Sequence, residues 1–292
     1  MTLSLPELLV DSHVYLGEGP FWDAVEQKVY WVDIFDCALH HFAIKTKQDE
    51  LVQLGSWIGC AGPTKTGDII LGMKSGINIY QRSNGALKVI SEPEKDLPGN
   101  RFNDGKCSPN GQFVGGTMDN DEVQKTGSLY SLDKTGKSKK LLGDLGISNG
   151  LTWSPDHQVF YFIDTPSRCV TAFDYDLPSG DIANPRVVIN IPPGLGWPDG
   201  MTSDSKGNLW IALWGGAAVS VWNPNSGDMI EKISLPAKNV TSCCFGGLDL
   251  NDLYITTACK GLDDKDLKNY PNSGGLFRMK TNVTGSPTYL FG

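Results

Sequence analysis

The sequence of 292 residues predicts an all-β fold: a single domain, residues 1–292, built as a six-bladed β-propeller with a central metal-binding channel. The first observation is a residue–glycine pair that recurs at intervals of 43, 43, 45 and 50 residues. The second is a run of β-branched and aromatic residues, bounded by turn residues, behind each pair. The third is that apolar residues at helical spacing do not persist over three turns in any segment. Strand-rich repeats of about 40 to 50 residues are typical of propeller blades.

The repeated pair carries an oxygen-bearing side chain in four of its five copies. Glycine is common here, at 34 of 292 residues, so one pair alone indicates nothing. Five pairs at nearly constant spacing, each ahead of a strand pattern, favour a true repeat. A sixth unit is marked by Ser242, which stands 43 residues after Asp199. The five pairs are Glu18-Gly19, Ala61-Gly62, Asp104-Gly105, Asn149-Gly150 and Asp199-Gly200.

Each unit continues with two further predicted strands. The second strands are, in chain order, KVYWVDI, DIILGM, QFVGGTM, VFYFIDT, NLWIALW and DLYITTA. The third strands are CALHHFAI, GINIYQ, GSLYSLD, CVTAFDYD, AVSVWNP and GGLFRMK. A short helical turn is expected only in GLDDKDLKNYPN. Because a propeller must close its ring, we expect the N-terminal PELLV to complete the last blade beside TYLF.

The oxygen-bearing residues of the repeat predict a metal site. The innermost strand of every propeller blade lines the channel, so equivalent positions form a ring around one axis. Glu18, Asp104, Asn149 and Asp199 would therefore converge, and converging carboxylates repel one another unless a cation is present. Taken alone, each of NDG, SNG and PDG is more typical of a turn. Glutamate is not a favoured turn residue, so Glu18 in LGEGPFW is the stronger ligand candidate.

The residue types predict one divalent ion, which could be calcium, manganese, zinc, magnesium or ferrous iron. Carboxylate and amide oxygens suit the hard or borderline members of this set. A dedicated zinc site is weakened because the chain has no His-Glu-x-x-His motif and no paired cysteine motif. The four histidines, none of them at a ring position, are His13, His40, His41 and His157.

Charge and cysteine usage exclude several classes of partner. The net charge of -8 and the absence of a basic run give nucleic acid and anionic membrane surfaces no overall attraction. The N-terminal sequence has no signal-peptide pattern, so we expect a cytoplasmic protein. The seven cysteines are scattered without Cys-x-x-Cys spacing, and we expect free, mostly buried thiols.

Several motifs in one order resemble the senescence marker protein-30, gluconolactonase and luciferin-regenerating enzyme family. They are LGEGPFWD, NRFNDGKCSPNGQFVGGTM, GSLYSLD, ISNGLTWS, FDYDLPSGDI, PDGMTSDSKGNLWIA and TSCCFGG, and the resemblance runs from about Leu16 to near Phe291. It implies a six-bladed propeller that carries one divalent ion. It also implies an enzyme whose substrates are small molecules, the aldono-1,4- or 1,5-lactones, which it hydrolyses. The ALWGG run and the C-terminal stretch look most like the bacterial sugar-lactonase branch.

The resemblance also implies roles for individual residues. The metal ligands would be Glu18, Asn149 and Asp199, and Asp199 would also be the general base while the ion polarises the lactone carbonyl. Arg101 and Asn103 would bind the substrate. The repeat instead puts Asp104 on the ring, and we favour Asn103 because neighbours on a strand point to opposite faces.

A further substrate contact is expected shortly after GTM, where members of the family often carry a glutamate. Here the chain reads GTMDNDEVQKTGS, and Asp121 is the positional match, one methylene shorter. A solvated acidic loop is the alternative interpretation of this stretch.

Two other functions compete with a metal-dependent lactonase. One is a calcium-binding regulatory protein of the regucalcin type without important catalysis. The other is a protein-interaction propeller, but the chain has neither a WD signature nor a Kelch-type repeat. A Gly-x-Ser-x-Gly elbow is also absent, which disfavours a serine nucleophile. We expect a monomer or a small homo-oligomer.

Overall fold

The computed structural model describes residues 5–292, which fold as six four-stranded antiparallel sheets. The sheets stand side by side around one axis, since the first strand of each contacts the first strands of the next and the previous sheet. The predicted six-bladed propeller is therefore confirmed. The blades are numbered I to VI in chain order, and the strand nearest the axis is called the inner strand.

The first half of the chain forms the N-terminal strand and three blades. The N-terminal strand is β1 (Glu7–Val10). Blade I contains β2 (Gly17–Asp23), β3 (Lys28–Asp33), β4 (Ala38–Ala43) and β5 (Gln48–Gln53). Blade II contains β6 (Ile58–Pro63), β7 (Ile69–Met73), β8 (Gly76–Gln81) and β9 (Ala86–Ser91). Blade III contains β10 (Asn100–Cys107), β11 (Phe113–Asp119), β12 (Gly127–Leu132) and β13 (Ser138–Leu145).

The second half forms the other three blades. Blade IV contains β14 (Ser148–Trp153), β15 (Val159–Asp164), β16 (Cys169–Asp176) and β17 (Asp181–Asn190). Blade V contains β18 (Trp197–Ser203), β19 (Leu209–Trp214), β20 (Ala218–Trp222) and β21 (Met229–Ser234). Blade VI contains β22 (Asn239–Gly246), β23 (Asp252–Ala258) and β24 (Leu276–Lys280), with the helix α1 (Asp264–Asn269) between the last two. Short 3-10 turns cover Thr165–Ser167 and Pro193–Leu195.

The N-terminal strand closes the ring, but not beside the predicted partner. β1 pairs antiparallel with β24, the LFRMK strand, and so supplies the fourth strand of blade VI. The expected pairing with TYLF is wrong. After β24 the chain crosses to the far end of the channel, where Phe291 bridges to Thr64 and the Tyr289 hydroxyl lies 2.8 Å from the His157 ring. The C-terminal segment thus covers the channel end rather than extending a blade.

The hydrophobic core is divided into six clusters, one at each contact between neighbouring blades. Successive residues of a strand point to opposite faces, and β19 shows the consequence. Trp210 and Ala212 pack toward blade VI, whereas Leu209 and Ile211 pack toward blade IV. Because the second strand of a blade is buried on both faces, it is a continuous apolar run, and this made it recognisable in the sequence.

The inner strands share one irregularity. The pairing with the second strand shifts in register within the first residues of all six inner strands, as between Glu18 and Phe21 in β2 or between Pro198 and Met201 in β18. Such bulges bend a strand and redirect its side chains. They lie at or just before the repeated residue–glycine pairs, at the end of the channel where the inner strands begin.

Within residues 5–292, the structure also shows the predicted helical turn and the state of the cysteines. The helical turn in GLDDKDLKNYPN is confirmed as α1, capped by the Asp263 carboxylate, which accepts from the Asp266 N–H at 2.8 Å. The seven cysteines are free; Cys60, Cys107, Cys243 and Cys244 are buried, whereas the other three are partly exposed. None of the described helices has the length and apolar character needed to cross a bilayer.

Candidate metal centre

A cavity of about 280 Å³ opens at the channel end where the inner strands begin. Its floor is formed by the bulged starts of the inner strands, and its rim by the connections between the second and third strands of the blades. Glu18, Asn149 and Asp199 all line it, together with Arg101 and Asn103. The volume is at the low end for ligand pockets, which are usually about 300 to 1,000 Å³. The cavity therefore suits a small molecule.

The three ligand candidates come from three different blades. Glu18 lies on β2, Asn149 on β14 and Asp199 on β18, and each is at most 5% exposed. The Asn149 amide donates to the Thr165 hydroxyl at 3.1 Å, so its oxygen faces away from that partner. The Thr165 hydroxyl in turn donates to the Pro198 carbonyl at 2.8 Å, which ties blade IV to blade V beside the site.

The glycines that follow Asn149 and Asp199 allow the inner strands to approach closely. A Cβ added to Gly150 would lie 2.5 Å from the Asp199 carbonyl oxygen. A Cβ added to Gly200 would lie 2.1 Å from the Ser242 hydroxyl oxygen. Contacts this short are sterically forbidden, so only glycine permits this spacing. Gly150 and Gly200 thus let blades IV, V and VI approach one another beside Asn149 and Asp199.

The electrostatics of the site are those of crowded, buried acids. Burial, followed by the charges of Asp199 and Asp104, raises the pKa of the Glu18 carboxyl well above its usual value. Burial and then the Asp104 charge raise the pKa of Asp199 in the same direction. A bound cation reverses this situation, because it favours the ionised form of every nearby carboxylate.

Asp104 and Asn103 have different surroundings. Asn103 is on the cavity wall, and its amide donates to the Ser148 carbonyl at 2.9 Å. Asp104 is 1% exposed and lies close enough to raise the pKa of both Glu18 and Asp199. Strict alternation does not govern this pair, since the register of β10 shifts between Phe102 and Asp104. Alternation is therefore not a sound reason for choosing between them, and of the two only Asn103 lies on the cavity wall.

Arg101 is held rigidly beside the candidate ligands. One of its terminal nitrogens donates to the Asn103 side-chain oxygen at 2.7 Å and to the Phe102 carbonyl at 3.0 Å. Burial lowers the pKa of the guanidinium to about 10, which still leaves it protonated at neutral pH. Its Nε has no hydrogen-bond partner in the described structure, so a donor remains available to a bound molecule.

The structure does not place Asp121 on the cavity wall. Asp121 is exposed, whereas its neighbour Glu122 lines the cavity and forms an ion pair with Lys260. Sequence reasoning chose Asp121 over Glu122 and missed Lys260. A signal was present, because both lie between the second and third strands of a blade, the connections that form the rim. Trp197 also lines the cavity, and the centre of its ring lies 4.1 Å from the Arg168 guanidinium carbon.

Several buried oxygen atoms of these residues lack a hydrogen-bond partner in the described structure, which bears on whether the site fits a divalent ion. Asn149 Oδ1, Asp199 Oδ1 and Asp104 Oδ2 are buried and have no hydrogen-bond partner among residues 5–292. Buried acceptors are normally satisfied, so such a group of oxygens calls for a missing donor or a cation. Within residues 5–292, no group of three or more His, Cys, Asp and Glu side chains is arranged to hold a metal. The converging set on the cavity wall instead combines two carboxylates with an amide, a donor set that hard divalent ions accept.

Comparison with known proteins identifies the family. Residues 16–259 match the family model described as the SMP-30/gluconolactonase/LRE-like region. The chain belongs to this family. The matched region includes all six inner strands in full, and so contains every candidate ligand.

Individual relatives cover the whole propeller. A Bacillus subtilis protein named "Putative sugar lactone lactonase YvrE" is 38% identical over 278 residues, 95% of each chain. Regucalcin of Xenopus laevis is 34% identical over 94% of this chain and 93% of its own. The crystal structure of a calcium-binding protein, regucalcin, from Agrobacterium tumefaciens has a TM-score of 0.94 at 28% identity, covering 99% of this chain and 98% of that one. The resemblance seen in the motifs is thus confirmed.

Proposed function

We propose that this protein is a metal-dependent lactonase that opens aldono-1,4- or 1,5-lactones to aldonic acids. The observation that carries the proposal is the group of buried oxygens on Glu18, Asn149 and Asp199, of which two have no hydrogen-bond partner, at the wall of a small cavity. The relative named for sugar lactone hydrolysis supports the reaction class. The calcium-binding protein of the same fold supports a divalent ion.

The bound ion would supply Lewis-acid polarisation of the lactone carbonyl and stabilisation of negative charge on its oxygen. Glu18, Asn149 and Asp199 would hold it, and the two carboxylates together match the charge of a divalent cation. Asp199 Oδ1, which lacks a protein donor, would take the proton from the attacking water. Arg101 Nε and the Asn103 amide would orient the hydroxyls of the ring through hydrogen bonds.

Substitution of the proposed ligands tests this function. Asp199→Asn and Glu18→Gln keep the side-chain size but remove a charge, and we expect kcat/KM on D-glucono-1,5-lactone to fall by about 10²-fold or more. EDTA should abolish wild-type activity, and a divalent ion should restore it. The matched control is Asp181→Asn, which changes an exposed carboxylate far from the channel. Full activity in the chelated enzyme would disprove the proposal.

A calcium-binding regulatory role is the second candidate, because the same oxygen donors suit calcium and several relatives are named regucalcin. The two candidates differ in turnover rather than in binding. Tight calcium binding by calorimetry together with no hydrolysis above background, over a panel of aldonolactones and divalent ions, would favour the regulatory role.

A further inference from the structure

Two charged side chains meet above the candidate metal centre from opposite sides of the ring. Glu122 lies between β11 and β12 of blade III, and Lys260 lies between β23 and β24 of blade VI. Blades III and VI are three positions apart in a ring of six, so they face each other across the channel. The Lys260 ammonium donates to Glu122 Oε1, and both residues line the cavity. Their ion pair therefore crosses the mouth.

Glu122 lies in a turn that is stabilised by hydrogen bonds to the Asp119 side chain. The Asp119 carboxylate accepts from the N–H groups of Asp121, Val123 and Gln124, at 3.4, 3.1 and 2.8 Å. Glu122 itself has a φ of 60°, a left-handed conformation that is uncommon for residues other than glycine. Strain of this kind persists only where the surroundings enforce it, and it is often found at functional sites.

The backbone of Lys260 is also held on both sides. Its N–H donates to the Tyr15 carbonyl at 2.9 Å, and its own carbonyl accepts from the Asn239 amide at 2.9 Å. The ammonium lies 5.6 Å from the centre of the Phe35 ring, which belongs to the rim of blade I. The backbones on both sides of the ion pair are thus fixed by hydrogen bonds. Rotation of the two side chains is enough to break the contact.

The ion pair contributes little to stability. The side chains of Lys260 and Glu122 are 25% and 40% exposed, and solvent weakens ion pairs of this exposure. A contact this weak opens readily by side-chain rotation, so it can admit a ligand and then re-form. Its position across the mouth, rather than its strength, distinguishes it from the other surface ion pairs.

We propose that Glu122 and Lys260 form a strap that sets the upper size limit of molecules bound at the metal centre. This proposal rests on the proposed function of the same cavity. With the strap closed, a compact lactone is enclosed in about 280 Å³. A ring that carries a long substituent has to hold the strap open, and so loses the contact between the two side chains.

The test compares two ligand series in five proteins: wild type, Glu122→Gln, Lys260→Met, the double variant and Lys260→Arg. The substrates are D-glucono-1,5-lactone and γ-alkyl-γ-butyrolactones of increasing chain length. The corresponding 5-alkyl-2-pyrrolidinones are lactams that resist hydrolysis, and their dissociation constants report size selection without turnover. The matched control is Asp181→Asn, which breaks the exposed Lys139–Asp181 ion pair away from the cavity.

We expect each single substitution to shift selectivity toward the long-chain ligands by up to about fivefold, the most that the loss of one exposed ion pair can contribute. The double variant should shift no further, because both changes remove the same contact. Lys260→Arg should retain the wild-type preference, since it can still pair with Glu122. Lys260→Met could favour long-chain ligands in another way, by adding an apolar contact at the rim. Glu122→Gln adds no apolar surface, so a shift in that variant cannot have this cause.

Several outcomes would overturn the strap. These are unchanged size preference, an equal loss for short and long ligands, additive effects in the double variant, or a shift of the same size in Asp181→Asn. Absence of lactone hydrolysis in wild type would contradict the proposed function alone, because the lactam series still measures size selection. Failure of every lactam to bind to any of the five proteins would overturn the strap itself.

Discussion

At the level of single residues, the centre of this propeller contains three buried carboxyl groups. Their ionised forms are unfavourable there unless a positive charge or a hydrogen-bond donor compensates them. Glu18, Asp104 and Asp199 are all buried, and burial is the largest cause of the raised pKa of each. Asp104 is compensated in part by the Lys106 ammonium, whose charge lowers its pKa. That ammonium also donates to the Met201 carbonyl, so its charge is shared. A divalent ion is the simplest compensation for the other two acids.

The first residue-scale prediction concerns Asp104. Its Oδ2 is buried without a partner, so Asp104→Asn should stabilise the metal-free protein at pH 7 by on the order of 1 to 3 kcal/mol. Urea unfolding in EDTA measures this, with the exposed Asp121→Asn as control. Loss of stability together with weaker metal binding at every pH would instead show that Asp104 is itself a ligand.

The second residue-scale prediction concerns pH. Because folding raises the pKa values of Glu18, Asp104 and Asp199, the native state binds more protons than the unfolded state between the unfolded and folded pKa values. The free energy of unfolding of the metal-free protein should therefore fall as pH rises from about 5 to 8, a range in which acids of ordinary pKa are already ionised. Saturating divalent ion should flatten this slope. Urea unfolding at several pH values checks both; a metal-free protein that gains stability over the same range would contradict the assignment.

At the scale of elements, the inner strands combine a bulge with a glycine. The bulge turns the oxygen-bearing side chain, and the glycine that follows lets the next strand approach. Neither feature alone would bring Asn149 and Asp199 to one cavity wall. The rim follows a different rule, since it is made of connections whose length and composition differ from blade to blade.

The element-scale prediction is Gly200→Ala. Its methyl group would lie 2.1 Å from the Ser242 Oγ and 2.8 Å from the Ser242 Cα, so β18 and β22 would have to separate. We expect a loss of about 1 to 3 kcal/mol in the free energy of unfolding, together with weaker metal binding. Gly99→Ala is the control, because a Cβ there meets no atom within 4 Å. Equal stability of the two variants would show that the strand spacing is not set by this glycine.

At the scale of the whole molecule, six blades and the pairing of the first strand with the last hold the centre in place. β1 pairs with β24, so the first and the last strand belong to one sheet. The six core clusters all lie between blades, which means that no blade has a complete core of its own. An ion held by blades I, IV and V would therefore stabilise the closed ring as a unit.

The blade number, the strand types and the approach of the repeated residues to one axis could be predicted from the sequence. These follow from local rules: strand composition, the alternation of faces, and a repeat whose equivalent positions must meet at the axis of a closed ring. Glu18, Asp104, Asn149 and Asp199 were predicted to converge for this reason. The structure brings Glu18, Asn149 and Asp199 to the wall of one cavity.

Three other features depend on tertiary contacts: the pairing of β1, the place of Asp104 and the ion pair between Glu122 and Lys260. The pairing of β1 with LFRMK rather than TYLF depends on the path of the C-terminal segment around the far end of the channel. The place of Asp104 depends on a bulge, which breaks the alternation that sequence reasoning assumed. Glu122 and Lys260 are 138 positions apart and meet only because blades III and VI face each other across the ring. Contacts across a ring carry no periodic signal, because they arise from its closure and not from the pattern of any one strand.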